Sequence, residues 1–168
     1  MVRYISVAQY QKLTSIPRNK LSVRTKIFCG AILEDAGKIL LIKSDSHYPG
    51  WDIPGGKLLW SEVILECVHR EVLEESGYKI RVQALLGIYQ RLTNEDDDDY
   101  IRIIFRASLK GKTQKKFKDP EIIKVQWFPI KEILSNRVKV RSPEVIRELA
   151  EYNQGKNFPL DVVETYSW

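Results

Sequence analysis

Cysteine and histidine are scarce: the 168 residues hold two of each. Cys29 and Cys67 are too few for a disulfide scaffold or a four-cysteine zinc site, and a reducing, cytoplasmic setting is the expectation. His47 and His69 lack metal-ligand spacing and read as surface residues. No apolar run approaches the ~20 residues needed to cross a bilayer, so no membrane partner is expected. The opening residues, Met1-Val2-Arg3-Tyr4-Ile5-Ser6, carry no signal-peptide apolar stretch. Internal repeats and long linkers are absent too. What is present is an ordinary globular composition, 43% hydrophobic and 29% charged. The length suits one domain over 1–168, large enough to bury a core without disulfides or a structural metal.

Charge is unevenly spread. The formal net charge is +5, yet residues 61–77 hold Glu62, Glu66, Glu71, Glu74 and Glu75 against Arg70 alone, a local −4 that leaves +9 on the rest. A basic body around an acidic spot can attract a polyphosphate while the spot holds a cation.

The pattern predicts a short helix over 6–14 capped by Ser6, then strands over 25–33 and 38–43 joined at Asp35-Ala36-Gly37. Residues 44–50 read as a loop and 51–53 as a short extended piece running into Pro54-Gly55-Gly56. A helix is expected over 62–76, with Ser61 as N-cap and Gly77 as its C-terminal stop. Strands follow over 80–90, 100–110 and 122–128, then a short helix over 129–134. Ser142-Pro143-Glu144 opens a last helix, since Ser caps and Pro suits the first helical position. The tail from 157 stays unassigned. Strands, one central helix, more strands and then helices suggest a mixed sheet with helices packed on it.

The central helix carries the chemistry. At about 100° per residue, Glu71, Glu74 and Glu75 share an arc of about 100° that borders the stripe of Ile64, Leu65, Val68 and Val72. A helix needing only solubility would set its acids opposite its core face. Acids at the edge of the buried side repel one another and lose hydration, and a divalent cation removes that cost. Oxygen-only ligands point to Mg²⁺ or Mn²⁺ and away from Zn²⁺. Glu62, Glu66 and Arg70 form a second column in which Arg70 can pair with Glu66. Gly55 and Gly56 upstream let backbone approach a phosphate or an ion closely. Lys57 and Lys43 are candidates for phosphate oxygens. Cys67 falls between Glu74 and Glu71 on the wheel and reads as a small buried residue; a functional thiol there would make the protein sensitive to thiol reagents.

These residues resemble the Nudix hydrolases, whose pattern is G-x5-E-x7-R-E-U-x-E-E-x-G-U with U bulky and apolar. Gly56, Glu62, Arg70-Glu71, Glu74-Glu75 and Gly77 fill every fixed position, Val72 is the first U, and the aromatic Tyr78 stands at the second. Trp51-Asp52-Ile53-Pro54-Gly55-Gly56 resembles the approach to this box, and the run from Glu121 through Trp127-Phe128-Pro129 resembles the family's late strand. The likeness covers roughly 24–135, leaving an N-terminal extension over 1–23 and a C-terminal helix and tail over 142–168. It implies an α/β fold, the Nudix α/β/α sandwich with a mixed central sheet and a loop-helix-loop metal site. It implies hydrolysis of a nucleoside diphosphate linked to another group with Mg²⁺ or Mn²⁺. Glu71, Glu74, Glu75 and the Gly56 carbonyl would hold metal, with Arg70 and Glu62 as structural partners. One departure is Leu59-Trp60, where many relatives carry a loop glutamate; these two could cover the opening or simply pack.

The general base is open. Glu121 at the start of the late strand is the first candidate from outside the box, and the run Glu95-Asp96-Asp97-Asp98-Asp99 is another source of carboxylate. Lys110, Lys112, Lys115, Lys116 and Lys118 make a basic segment, but aromatic interleaving is sparse and a solvated loop is the better reading, so nucleic acid is not an expected partner. No proline lies between Pro54 and Pro120, which removes a marker of ADP-ribose pyrophosphatases, and Tyr89 and Tyr100 miss the offset of a dinucleoside polyphosphate hydrolase. The expected activity is therefore MutT-like pyrophosphohydrolysis of a nucleoside di- or triphosphate derivative. An ADP-ribose or nucleotide-sugar pyrophosphatase is the alternative, with a non-catalytic nucleotide-binding domain as another. A homodimer is left open.

Overall fold

The computed structural model describes residues 25–45, 49–91, 99–111 and 116–166. The expected helix over 6–14, His47, Lys112, Lys115 and most of the acidic run lie outside the described residues.

β1 (Lys26–Asp35) and β2 (Lys38–Ser44) are joined by Ala36-Gly37, with φ of 48° and 75°. Positive φ at both positions gives the turn whose twist matches that of the strands. β3 (Gly55–Lys57), β4 (Ile80–Arg91), β5 (Tyr100–Leu109) and β6 (Ile122–Pro129) complete a six-stranded sheet of order β4-β5-β1-β2-β6, with β3 pairing β1. β1 is the hinge of this sheet. It runs parallel to β5 from Lys26 opposite Tyr100 to Leu33 opposite Ala107. Its first half also takes β3 antiparallel, Gly30 facing Gly55, and its end takes β2.

Both faces of the sheet are covered, which explains the nearly continuous apolar runs of its central strands. The side chains alternate between two cores. Ala31, Leu33, Leu40 and Phe105 pack with Cys67, Val68 and Val72 of α1 (Ile64–Ser76). Ile32, Ile39, Leu41 and Ile104 pack with Ile133 of α2 (Ile130–Leu134) and with Val145, Leu149 and Tyr152 of α3 (Pro143–Asn153). Each fully buried Val or Ile of this kind contributes roughly 1.5–3 kcal/mol. The result is the expected α/β/α sandwich on a mixed sheet. Among the described residues no helix is long and apolar enough to cross a membrane.

Three local expectations need correction. α1 starts at Ile64, not at residue 62, and Val63 is its N-cap. Ser61 does not cap: it adopts a left-handed φ of 59°. Glu62 therefore stands before the helix, with its N–H on the Leu59 carbonyl at 3.2 Å and its carboxylate accepting the Leu59 N–H at 3.0 Å. That tight turn throws Leu59 and Trp60 outward, 54% and 97% exposed, so neither packs. The C-terminal end follows expectation, with Gly77 at φ 75° donating its N–H to Leu73. Pro143 opens α3 as expected, while Ser142 stands at the N-cap position without a side-chain capping bond. The unassigned tail is tied in, because Phe158 bridges Leu85 on β4 and Leu160–Val162 form a 3-10 turn.

Candidate active site

The floor of the site is a glycine turn laid on β1. A β-carbon on Gly55, at φ 156°, would collide with the backbone of Cys29 and Gly30, and one on Gly56 would collide with the Glu71 carboxylate. Only glycine lets the chain lie this close to both the sheet and a helix side chain. The Gly55 N–H donates to Glu75 Oε2 at 2.6 Å, fastening the turn to α1.

Arg70 organises the opposite edge. Its Nε and Nη2 donate to the two Glu62 oxygens at 2.6 and 2.8 Å, the bidentate geometry that suits a guanidinium. Nη1 reaches Glu71 at 2.7 Å and Glu74 at 3.3 Å, and Nη2 also meets the Lys57 carbonyl. The expected pair with Glu66 does not form. That expectation placed Glu62 on the helical wheel, whereas Glu62 folds back from outside the helix and takes the guanidinium, leaving Glu66 exposed.

One cation thus faces a surplus of acids. Arg70 holds the Glu62 carboxyl down to about 2. Burial pushes Glu71 upward, against Arg70, and pushes Glu75 well above the usual carboxylate range, where Glu71, Asp52 and Asp119 add repulsion. Glu71 and Glu75 are buried, while the Glu74 side chain is 44% exposed. Among the described residues no three His, Cys, Asp or Glu side chains close on one point as a finished metal cage. Glu71 and Glu74 rest on Arg70 and Glu75 rests on Gly55. The donors are all hard oxygens carrying excess negative charge beside a turn with no side chains, which fits a hard divalent cation and not a soft one.

Gly55 is also part of the wall of a cavity of about 470 Å³. Phe28 and Tyr100 meet there edge to face, with ring centroids 5.7 Å apart. Lys26, Arg91, Arg102 and Arg141 supply cations, and Asp52 is the one acid of that wall. A second, more open hollow of about 430 Å³ lies between Glu74 and the turn from Lys118 to Glu121. The Lys118 and Asp119 N–H groups donate to the Glu74 carbonyl at 2.7 and 3.1 Å, which brings this turn against the end of α1.

The NUDIX domain family model matches residues 23–149. This chain is a member of the NUDIX family. Nudix hydrolases act on phosphorus-containing acid anhydrides, and the chain is an enzyme of that kind. It is 25% identical to the phosphatase NudJ of Escherichia coli strain K12 over 138 residues, 82% of this chain and 89% of that one. A NUDIX hydrolase from Nitrosomonas europaea superposes with a TM-score of 0.77 at 28% identity, covering 85% of this chain and 98% of the other. The NUDIX domain of Shewanella oneidensis NrtR, solved with ADP ribose, shares the fold at a TM-score of 0.65 and 15% identity, over 90% of this chain and 99% of that one.

The Nudix box residues Gly56, Glu62, Arg70, Glu71, Glu74 and Glu75 come together as one edge. Tyr78, the aromatic at an apolar position of the box, packs edge to face on Trp127 at 5.8 Å, and its hydroxyl accepts the Trp127 Nε1–H at 3.3 Å. Cys67 is fully buried, with Sγ 3.9 Å from the Gly56 carbonyl. Glu121 is exposed and shares the smaller hollow with Glu74. His69, Lys110, Lys116 and Lys118 are exposed. The lysines expected to meet phosphate stand elsewhere: Lys57 is exposed, Lys43 pairs in register with Lys124 on β6, and neither lines the cavity or the hollow. Arg91, Arg102 and Arg141 line the cavity and were not foreseen. A signal existed: Arg102 interrupts an apolar strand, and Glu148 interrupts the apolar stripe Val145-Leu149-Tyr152 of α3.

Proposed function

We propose that this Nudix hydrolase uses Mg²⁺ or Mn²⁺ to cleave the diphosphate linkage of a nucleoside di- or triphosphate derivative, with residues 1–168 forming one Nudix unit. The observation that carries the reading is Gly55, whose N–H holds Glu75 while its backbone lines the large cavity. The acidic edge and the substrate-sized space therefore share a wall. Glu71, Glu74, Glu75 and the Gly56 carbonyl would hold the cation. When bound, it supplies neutralisation of phosphate charge and a more acidic attacking water.

The chain's own residues do the rest. Arg70 and Glu62 brace the glycine turn against α1, so that the carboxylates keep their places as substrate arrives. Glu75, buried against the glycine turn, is one candidate for the proton acceptor. Glu121 is the candidate acceptor from outside the box, since it opens on the hollow that Glu74 lines. Gly55 and Gly56 admit the diphosphate to the backbone, and the cationic cavity wall receives the remainder of the molecule. An ADP-ribose or nucleotide sugar is the second reading, supported by the fold shared with the ADP ribose-binding NrtR domain. The two free, buried cysteines fit a reducing, cytoplasmic setting.

The test is a Mg²⁺-dependent hydrolysis screen over ordinary and oxidised nucleoside triphosphates, nucleotide sugars, ADP-ribose and dinucleoside polyphosphates. Glu74→Gln and Glu75→Gln should each keep the fold and lower turnover by about 10²-fold or more. Full activity in both variants contradicts the assignment. Tight binding with no hydrolysis of any compound points to a non-catalytic domain.

A further inference from the structure

Cys29 and Cys67 are buried nucleophiles that the hydrolytic reaction leaves unused. Cys29 lies on β1 and Cys67 on α1, and both belong to the core between the sheet and that helix. Their thiols hydrogen-bond to each other. A free cysteine in a core ordinarily serves as a small apolar residue. Two that meet across separate elements, in a chain holding no other cysteine, also make a dithiol that can close to a disulfide.

Their position gives that chemistry a consequence. Cys29 is paired in register with Gly56, and Cys67 Sγ lies 3.9 Å from the Gly56 carbonyl. Gly56 therefore lies against both residues. On its other side Cys67 Sγ is 3.7 Å from Arg70 Nη2, the nitrogen that also serves Glu62 and the Lys57 carbonyl. The two sulfurs thus stand behind the glycine turn and the arginine that brace the carboxylate edge. Access to them is unequal. Cys29 is part of the wall of the large cavity, which a small peroxide can enter, and Cys67 is not.

We propose that Cys29 and Cys67 form an oxidation site for peroxides, and that its closure to a disulfide weakens the cation site by displacing the Gly56 carbonyl and Arg70. The crosslink itself is independent of the metal reading above; its effect on the cation rests on that reading. Cys29 meets the oxidant first. Its sulfur attacks one peroxide oxygen, the O–O bond breaks, the other oxygen leaves as water, and Cys29 becomes a sulfenic acid. The Cys67 sulfur then attacks the Cys29 sulfur and expels the sulfenic oxygen as a second water. Two S–H bonds are lost, one S–S bond forms, and the electron pair ends on the peroxide oxygens. A dithiol reductant reverses the change by exchange. A sulfur–sulfur bond is far shorter than a thiol–thiol hydrogen bond. Closing it draws β1 and α1 together at this point, and Gly56 and Arg70 are the groups that movement disturbs.

The experiment treats the reduced full chain with a small excess of hydrogen peroxide in metal-free buffer. The intact protein should lose the mass of two hydrogen atoms, both thiols should stop reacting with a maleimide in denaturant, and proteolysis should release a peptide joining Cys29 to Cys67. The crosslinked protein should bind Mn²⁺ about tenfold more weakly by electron paramagnetic resonance, and dithiothreitol should restore both thiols and affinity. Cys29→Ala and Cys67→Ala should bind Mn²⁺ as the reduced wild type does and keep that affinity after peroxide. If either variant fails to fold by circular dichroism, the joined peptide and the dithiothreitol reversal in wild type decide. Both thiols surviving peroxide, oxygen added to one sulfur in place of the crosslink, a crosslink between two chains, or an internal crosslink that leaves Mn²⁺ affinity unchanged overturns the proposal. An internal crosslink in a chain whose reduced form binds no Mn²⁺ upholds the oxidation site and removes the cation reading; Mn²⁺ binding without a crosslink does the reverse.

Discussion

Arg70 and Arg102 are both ringed by carboxylates, but in different proportions. Arg70 faces Glu62, Glu71 and Glu74 and is partly open to solvent. Its neighbourhood stays anionic after pairing, so it has room for a further cation. Arg102 holds Glu148 and shares Asp52 with Arg141, two guanidinium groups to two acids. Its neighbourhood is balanced, so it leaves no surplus charge of the kind found beside Arg70. The two regions meet at the Pro54-Gly55-Gly56 turn, where Asp52 lies two residues before the turn and Glu75 lies against it.

The comparison breaks most visibly if one partner is removed from the balanced pair. Arg102→Met should cost about 3–5 kcal/mol in urea denaturation, since Glu148 is left charged and buried, and adding Glu148→Gln should recover most of that loss. A loss below about 1 kcal/mol in the single variant would mean that water reaches Glu148 freely.

The acidic edge is sharper in its pH response. Glu62 is held down to about 2 by Arg70, so its stabilisation is complete above the ordinary value of 4.5 and is lost as pH falls toward about 2. Glu75 is shifted upward by burial, so in metal-free buffer it has the opposite sign: stability falls as pH rises above 4.5 and the unfolded chain ionises first. Glu62→Gln should flatten the acid limb of stability against pH, and Glu75→Gln the limb above it. The same limb affected by both variants would contradict these assignments. The smallest effect belongs to Glu66→Gln, which should change stability by less than about 0.5 kcal/mol because Glu66 is exposed and stands apart from the Arg70 network.

Legibility follows the same division. The Arg70 contacts join residues 8, 1 and 4 apart, so helix periodicity and the box pattern could bring Glu71, Glu74 and Glu75 to one edge. The misreading of Glu66 came from one backbone event, the left-handed Ser61, which no propensity scale anticipates for serine. The Arg102 network joins residues 46 and 50 apart, and Arg141 reaches Asp52 across 89. Such pairings are set by how the sheet and α3 pack, so the cavity cations stayed hidden while Lys43 and Lys57 looked better placed. Strand alternation and turn chemistry were local and read well, as at Ala36-Gly37 and Gly77.

The central claim is that the carboxylate edge of α1 holds a divalent cation. Mn²⁺ binding followed by electron paramagnetic resonance tests it without any substrate. Wild type should bind Mn²⁺ and release it to excess Mg²⁺, and Glu71→Gln and Glu75→Gln should each weaken binding by about tenfold or more while keeping the fold. Equal Mn²⁺ affinity in wild type and both variants would contradict the account.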